Sequence, residues 1–265
     1  MKLGIVLAAQ PSSFSAIPFK EGLEENIAKI KKLGYDGAEL AVLHPDQLNL
    51  EWLQAILDKN KLNIIALQTG LVLLEDKLSF TNTDPVVRRK AIDRIRSHVR
   101  LGKKLNALVI IGLVRGKERK SVSNEQIDEW LTEALVECAR EDTSVRLAIE
   151  PINRYETEII NDLESCLKLL DKVKMKNVGI LLDTFHMNIE EVSMSKSIKD
   201  AREHLFHVHV ADSNRWYPGA GHINFKEILD TLEEINYQGF VSAEILAKPD
   251  PDTAAKKTIE YLRSL

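Results

Sequence analysis

The sequence predicts a single (β/α)₈ barrel, and three observations carry that expectation. Short apolar runs alternate with longer amphipathic ones along all 265 residues, the pattern of an α/β chain with a parallel sheet. Eight such short runs occur, the number that closes a parallel sheet on itself in a fold of typically about 250 residues. The first run is followed by Leu7-Ala8-Ala9-Gln10, whereas an open doubly wound sheet more often carries a glycine-rich phosphate turn at that point.

The first strand is read at residues 2–7, inside MKLGIVLAA. That run is too brief for a secretion-signal core, and Gln10-Pro11-Ser12-Ser13 follows as a loop would. Residues 23–33 have helical period, 37–40 form the second strand, 51–59 a helix and 63–67 the third strand. The next helix, 84–101, opens on Asp84-Pro85, an N-cap followed by proline at the first helical position. Strands at 107–111, 146–150, 179–183, 206–210 and 241–244 then alternate with helices at 124–140, 162–173, 195–201, 225–235 and 253–262. Gly34, Gly102 and Gly239 stand where helices are expected to end and hand over to a strand. With no linker, low-complexity tract or strong short repeat, residues 1–265 read as one catalytic domain.

The composition is that of an ordinary globular chain, with 44% hydrophobic and 29% charged residues. A formal charge of −4 argues against a nucleic-acid partner, because phosphate contacts favour a basic face. No stretch approaches the ~20 apolar residues of a membrane span. Cys138 and Cys166, the two cysteines, both lie in helical segments and read as small buried residues of a reducing compartment. A cytoplasmic location is the expectation.

In such barrels the chemistry sits at the C-terminal ends of the strands. Four metal-ligand-type residues stand there: Glu150 closing VRLAIE, Asp183 closing VGILLD, His209 in LFHVHV and Glu244 closing FVSAE. They are spaced by 33, 26 and 35 residues, about one strand–helix–strand unit each, so the fold can return all four to one point. Three carboxylates and an imidazole suit one divalent ion such as Mn²⁺, Co²⁺, Mg²⁺ or Zn²⁺. The bland alternatives are an exposed strand-end acid at Glu150 and a simple turn cap at Asp183. Glu150 and Glu244, from different strands, form a pair of acid–base groups able to serve opposite faces of one substrate. Glu156 follows Glu150 in a loop and can reach a substrate hydroxyl; Arg154 beside it reads as an ion-pair partner for one of these acids. His186, at the start of the loop after Asp183, can donate to a substrate oxygen. His207 shares strand parity with His209 and is expected to pack deeper. Arg215 trails His209 by six residues and can neutralise an oxyanion or pair with a carboxylate. The basic stretch at 115–120 reads as a solvated loop or as a grip for phosphate or carboxylate.

EPINRYE, DTFHMNIEE and HVADSNRWYPGAGH resemble the signatures of the ketose 3-epimerases, the D-tagatose and D-psicose 3-epimerase group of the xylose-isomerase-like TIM barrel superfamily of sugar isomerases and epimerases. The resemblance implies Glu150, Asp183, His209 and Glu244 as ligands of one ion of the Mn²⁺ or Co²⁺ type. It implies Glu150 and Glu244 as the proton-transferring pair, with Glu156, His186 and Arg215 holding the polar end of a ketose. One departure stands out: Leu7, Ala8 and Ala9 replace the aromatic residues that ketohexose enzymes of this kind carry near the end of the first strand. GLVRG with HVADSNRW is similar to a bacterial subgroup that includes enzymes acting on keto-inositols. The expected partner is a small ketose or cyclic keto-polyol, with neither nucleic acid nor membrane, in a homo-oligomer (dimer or tetramer). An aldose–ketose isomerase shares the same site chemistry. An endonuclease IV-type nuclease would need three zinc ions and further strand-end histidines, and an inactive sugar-binding protein would leave the glutamate pair without a purpose.

Overall fold

The computed structural model describes residues 1–117 and 122–265. The chain begins with β1 (Lys2–Ala8), α1 (Leu23–Leu33), β2 (Gly37–Ala41), α2 (Leu50–Asn60) and β3 (Asn63–Gln68). A short α3 (Gly70–Leu74) precedes α4 (Pro85–Leu105), β4 (Leu108–Ile111), α5 (Asn124–Glu141) and β5 (Leu147–Ile149). Then come α6 (Leu163–Val173), β6 (Val178–Asp183), α7 (Thr184–Glu190), α8 (Met194–Ala201) and β7 (Leu205–Val210), followed by α9 (Phe225–Glu234), β8 (Phe240–Ala243) and α10 (Pro251–Ser264). Each strand pairs in parallel with its neighbours in sequence, and β8 returns to β1 to close the barrel. The expected (β/α)₈ architecture is the one observed.

Strands covered on both faces need continuous apolar runs, and β6, VGILLD, is buried at every position. Alternate residues face the helices: Val109, Leu147, Ile149, Ile180, Leu182 and Val208 join the outer core. Their neighbours Ile110, Ala148 and Leu181 fill the barrel interior. Counting two residues along from an interior position therefore reaches another interior position nearer the C-terminal end. Ala148 leads to Glu150, Leu181 to Asp183, His207 to His209, and Ser242 to Glu244. Strand pairing then sets these ends side by side, with Asp183 opposite His209 and His209 opposite Ser242.

The helix starts follow the sequence signals. Asp84 accepts from the Val86 N–H at 2.8 Å with Pro85 at the first position of α4, and Asp162 forms a capping box with Ser165 at the start of α6. Two of the three glycine stops are corrected. Gly34 does end α1 with φ 96°. Gly102, however, lies within α4, which runs on to Leu105 and ends at Asn106 with φ 52°. A Cβ on Gly102 would come within 2.8 Å of the Ala107 carbonyl oxygen, so that glycine permits a close approach of helix and strand. Gly239 lies well beyond α9, where Asn236 takes φ 57°; a Cβ on Gly239 would run into the Tyr237 side chain.

Of the basic stretch at 115–120, residues 118–120 fall outside the described residues, and Arg115 is not the solvated residue expected. Arg115 is 1% exposed and donates to the carbonyls of Gly112, Ile159 and Ile160 at 3.1, 3.1 and 2.8 Å. It does not face solvent; it ties the loop after β4 to the loop after β5. Arg115→Met fills similar volume without the donors. It is expected to destabilise the fold by about 2 kcal/mol, since a buried acceptor left unpaired typically costs about 1–3 kcal/mol, and urea unfolding measures this.

Candidate active site

Glu150, Asp183, His209 and Glu244 converge at the C-terminal end of the barrel, all buried, each offering a ligand atom within 4.8 Å of the others. His209 Nδ1 lies 3.6 Å from Glu150 Oε1 and 4.0 Å from Glu244 Oε1. Glu150 Oε1, Asp183 Oδ2 and His209 Nδ1 are buried without a hydrogen-bond partner among the described residues. Asp183 fulfils the capping role as well: its Oδ1 accepts from the Phe185 N–H at 2.8 Å, which starts α7 and leaves Oδ2 for the cluster.

Electrostatics make the crowding plain. Burial, reinforced by Glu150, raises the Asp183 carboxyl, although His209 opposes the shift. Burial, reinforced by Glu150 and Asp183, raises Glu244 despite Arg215 and His209. Burial pushes Glu150 upward, but His209, His186 and Arg115 together hold it below its ordinary range. Three buried carboxylates facing one imidazole carry an excess of negative charge that a cation would neutralise. The unpartnered atoms, the oxygen-rich donor set and the excess charge fit a divalent ion.

A residue the sequence reading did not single out completes this centre. Glu39, fully buried in β2, has its Oε2 2.8 Å from His207 Nε2 and its Oε1 2.9 Å from His209 Nε2. Those two histidines hold its carboxyl far below the ordinary range, overcoming burial. The available signal was a lone acid in the middle of GAELA, a strand buried throughout. Glu39, His207 and His209 are also close enough together to hold an ion, but their facing atoms already pair with one another. His207 sits deeper in the barrel, as its parity suggests.

His186 belongs to α7 rather than to a loop. Its Nδ1 lies 2.7 Å from Asn153 Nδ2 and 3.5 Å from the Asn153 backbone N–H, both donors, so the proton is on Nε2. Burial pushes the ring down to about 3, keeping it neutral. Its Nε2 lies 3.9 Å from Glu150 Oε1 and 3.8 Å from Asp183 Oδ2, so it presents an N–H donor at the edge of the cluster. Arg154 departs from its expected pairing: it binds Glu190 of α7 at 2.6 Å, not Glu150 or Glu156.

Arg215 joins the two ends of the cleft, donating to Glu156 Oε1 at 2.8 Å and Glu244 Oε2 at 2.9 Å. The Phe185 and Phe14 rings flank its guanidinium, with centroids at 4.8 and 5.4 Å. Its backbone takes φ 61°, uncommon for a side-chain-bearing residue. Asp212 organises this loop by accepting from the N–H groups of Ser213, Gly219 and Ile223 at 2.7, 2.8 and 3.1 Å. Gln68, at the end of β3, donates to Glu244 Oε1 at 2.7 Å and was also not foreseen. Phe14, Leu71, Leu74, Leu113 and Ile152 also line the cleft, so Phe14 supplies an aromatic wall that Leu7, Ala8 and Ala9 do not.

A family model described as xylose isomerase-like TIM barrel matches residues 27–265. The L-ribulose 3-epimerase of Methylomonas sp. (strain DH-1) is 30% identical over 249 residues, covering 92% of this chain and 85% of that protein. The D-psicose 3-epimerase of Agrobacterium fabrum is 32% identical over 233 residues, 84% of this chain and 78% of that protein. Among solved structures, the D-allulose 3-epimerase from Methylomonas sp. in complex with D-allulose aligns with a TM-score of 0.85 at 26% identity, over 100% of this chain and 96% of that one. A match this long places the chain's relationships beyond fold alone: it belongs to the xylose isomerase-like TIM barrel family, and sugar 3-epimerases are among its relatives.

Proposed function

We propose that the protein is a metal-dependent ketose 3-epimerase, with Glu150, Asp183, His209 and Glu244 holding one divalent ion, Mn²⁺ or Co²⁺. The observation that carries this reading is the convergence of two glutamates, one just past β5 and one just past β8, on a buried cluster in which Glu150 Oε1, Asp183 Oδ2 and His209 Nδ1 lack partners among the described residues. When bound, the ion supplies Lewis-acid polarisation of the substrate carbonyl and offsets the carboxylate charge. Each glutamate has two oxygens, so one can ligate while the other moves a proton. One glutamate takes the proton from the carbon beside the ketone, and the electron pair delocalises into a cis-enediolate on the sugar. The other returns a proton to the opposite face, inverting the centre. Arg215 faces the developing negative charge, His186 donates its Nε2–H to a substrate oxygen, and Glu156 accepts from a hydroxyl.

Residues 1–265 act as one catalytic unit in this reading, because β1 and β8 pair to close the barrel that gathers the site. Its substrate is a small ketose or cyclic keto-polyol, and the protein works as a homo-oligomer in the cytoplasm, without nucleic acid. No helix among the described residues is long and apolar enough to cross a membrane, and both cysteines are free and buried.

Incubation with Mn²⁺ and separate free ketoses, ketose phosphates and inososes, followed by product separation, tests the reading. The expected result is interconversion of ketoses epimeric at carbon 3, lost on chelation. Turnover confined to inososes, or to aldose–ketose exchange, would reassign the substrate, and no turnover with any metal would reject the function. Arg215→Ala is expected to lower kcat by about 10²–10³-fold, the usual loss of one charge-stabilising donor, with metal content intact. Elemental analysis of the variant separates the two roles, since loss of metal would make Arg215 part of the ion site.

A further inference from the structure

We propose that Glu39 is a positioning residue that fixes the tautomer and ring orientation of His209, so that Nδ1 is the nitrogen offered to the divalent ion. This inference rests on the metal-dependent reading above and assigns a task to a residue outside the proposed ligand set. A carboxylate accepts hydrogen bonds and does not donate them. Glu39 Oε1, 2.9 Å from His209 Nε2, therefore requires the hydrogen on Nε2. The lone pair is left on Nδ1, the atom that lies toward Glu150 and Glu244 and has no hydrogen-bond partner among the described residues.

His207 completes the arrangement. Its Nε2 takes the other carboxylate oxygen at 2.8 Å, so Glu39 is gripped from both sides and cannot rotate without breaking one contact. The two imidazoles stand edge to face, with centroids 5.3 Å apart and planes at 80°. Glu39 comes from β2 and the histidines from β7, so the carboxylate reaches across the barrel interior. An acid at a fully buried strand position is costly, and an apolar residue would fill GAELA more simply. Metal-ligating histidines regularly donate their second N–H to a carboxylate, and removing that partner typically weakens metal binding by about 10–100-fold.

The test is calorimetric titration of metal-free protein with Mn²⁺, paired with the visible spectrum of the Co²⁺-loaded form. Glu39→Gln is near-isosteric and is expected to weaken Mn²⁺ binding by about 10–100-fold. It should also alter the Co²⁺ ligand-field bands, and excess Mn²⁺ should restore part of the turnover. His207→Leu, which frees one carboxylate oxygen but leaves Oε1 available, should weaken binding less than Glu39→Gln. The wild-type protein gives a further measurement if either variant fails to fold. Ring-nitrogen NMR of the Zn²⁺-loaded protein should show hydrogen on Nε2 of His209 and of His207.

Wild-type Mn²⁺ affinity in Glu39→Gln, or hydrogen on Nδ1 of His209 in the Zn²⁺-loaded protein, overturns the proposal and leaves the epimerase reading standing. Failure of the wild-type protein to bind any divalent ion overturns both.

Discussion

Glu150→Gln and Glu244→Gln should each reduce epimerisation by about 10⁴-fold, the upper end of what general acid–base groups contribute. Glutamine keeps the shape of the side chain and an oxygen that can still ligate, so the loss reports chiefly the missing base. The two variants need not behave alike toward proton exchange. A variant that retains only the glutamate facing its natural substrate can remove the proton and return a deuteron to the same face. It would then wash solvent deuterium into one epimer while making almost none of the other. The environments of the two acids already differ: Glu244 is met by Gln68 at 2.7 Å and Arg215 at 2.9 Å, whereas Glu150 Oε1 has no partner among the described residues. Mass spectrometry of each epimer, recovered from D₂O with each variant, reads this directly. Near-normal epimerisation by either variant would replace the two-base scheme with a single base and leave the mutated glutamate as a ligand only.

The second large effect is expected at Asp183. Asp183→Asn preserves the cap, because the amide oxygen can still accept from Phe185, but it can place an NH₂ where the unpartnered Oδ2 now lies. An amide nitrogen is a donor and repels a cation. The wild-type protein should retain about one divalent ion per chain after gel filtration, and the variant should retain almost none, with helix content unchanged by circular dichroism. A full complement of metal in Asp183→Asn would place the ion elsewhere.

Legibility followed the range of the interactions. The strands were readable because both their faces are buried, which imposes apolar runs such as VGILLD. The clustering of Glu150, Asp183, His209 and Glu244 was readable because an acid or histidine ending such a run stands out, and parallel strands return their ends to one face. Glu39 escaped because its partners are 168 and 170 positions away and are chosen by the registration of the closed barrel. Gln68 escaped for the same reason, its contact with Glu244 spanning 176 positions. Asn153, in the loop after β5, acts on His186 of α7 across 33 positions, which no local pattern marks. Arg115 misled in the other direction. A basic stretch suggests solvent, but backbone carbonyls of the 159–160 segment, 44 and 45 positions on, surround the guanidinium. Gly102 and Gly239 were misread as stops because close packing and left-handed turns favour the same residue.

The most direct test of proton transfer at the carbon beside the ketone is turnover of the wild-type protein in D₂O. A ketose substrate and Mn²⁺ are supplied, and the product is isolated early and its deuterium located by NMR. The expected result is deuterium at the inverted carbon alone, close to one atom per product molecule in the first turnovers. Inverted product with no deuterium at that carbon, in a solvent-accessible site, would contradict proton abstraction and return by the glutamate pair.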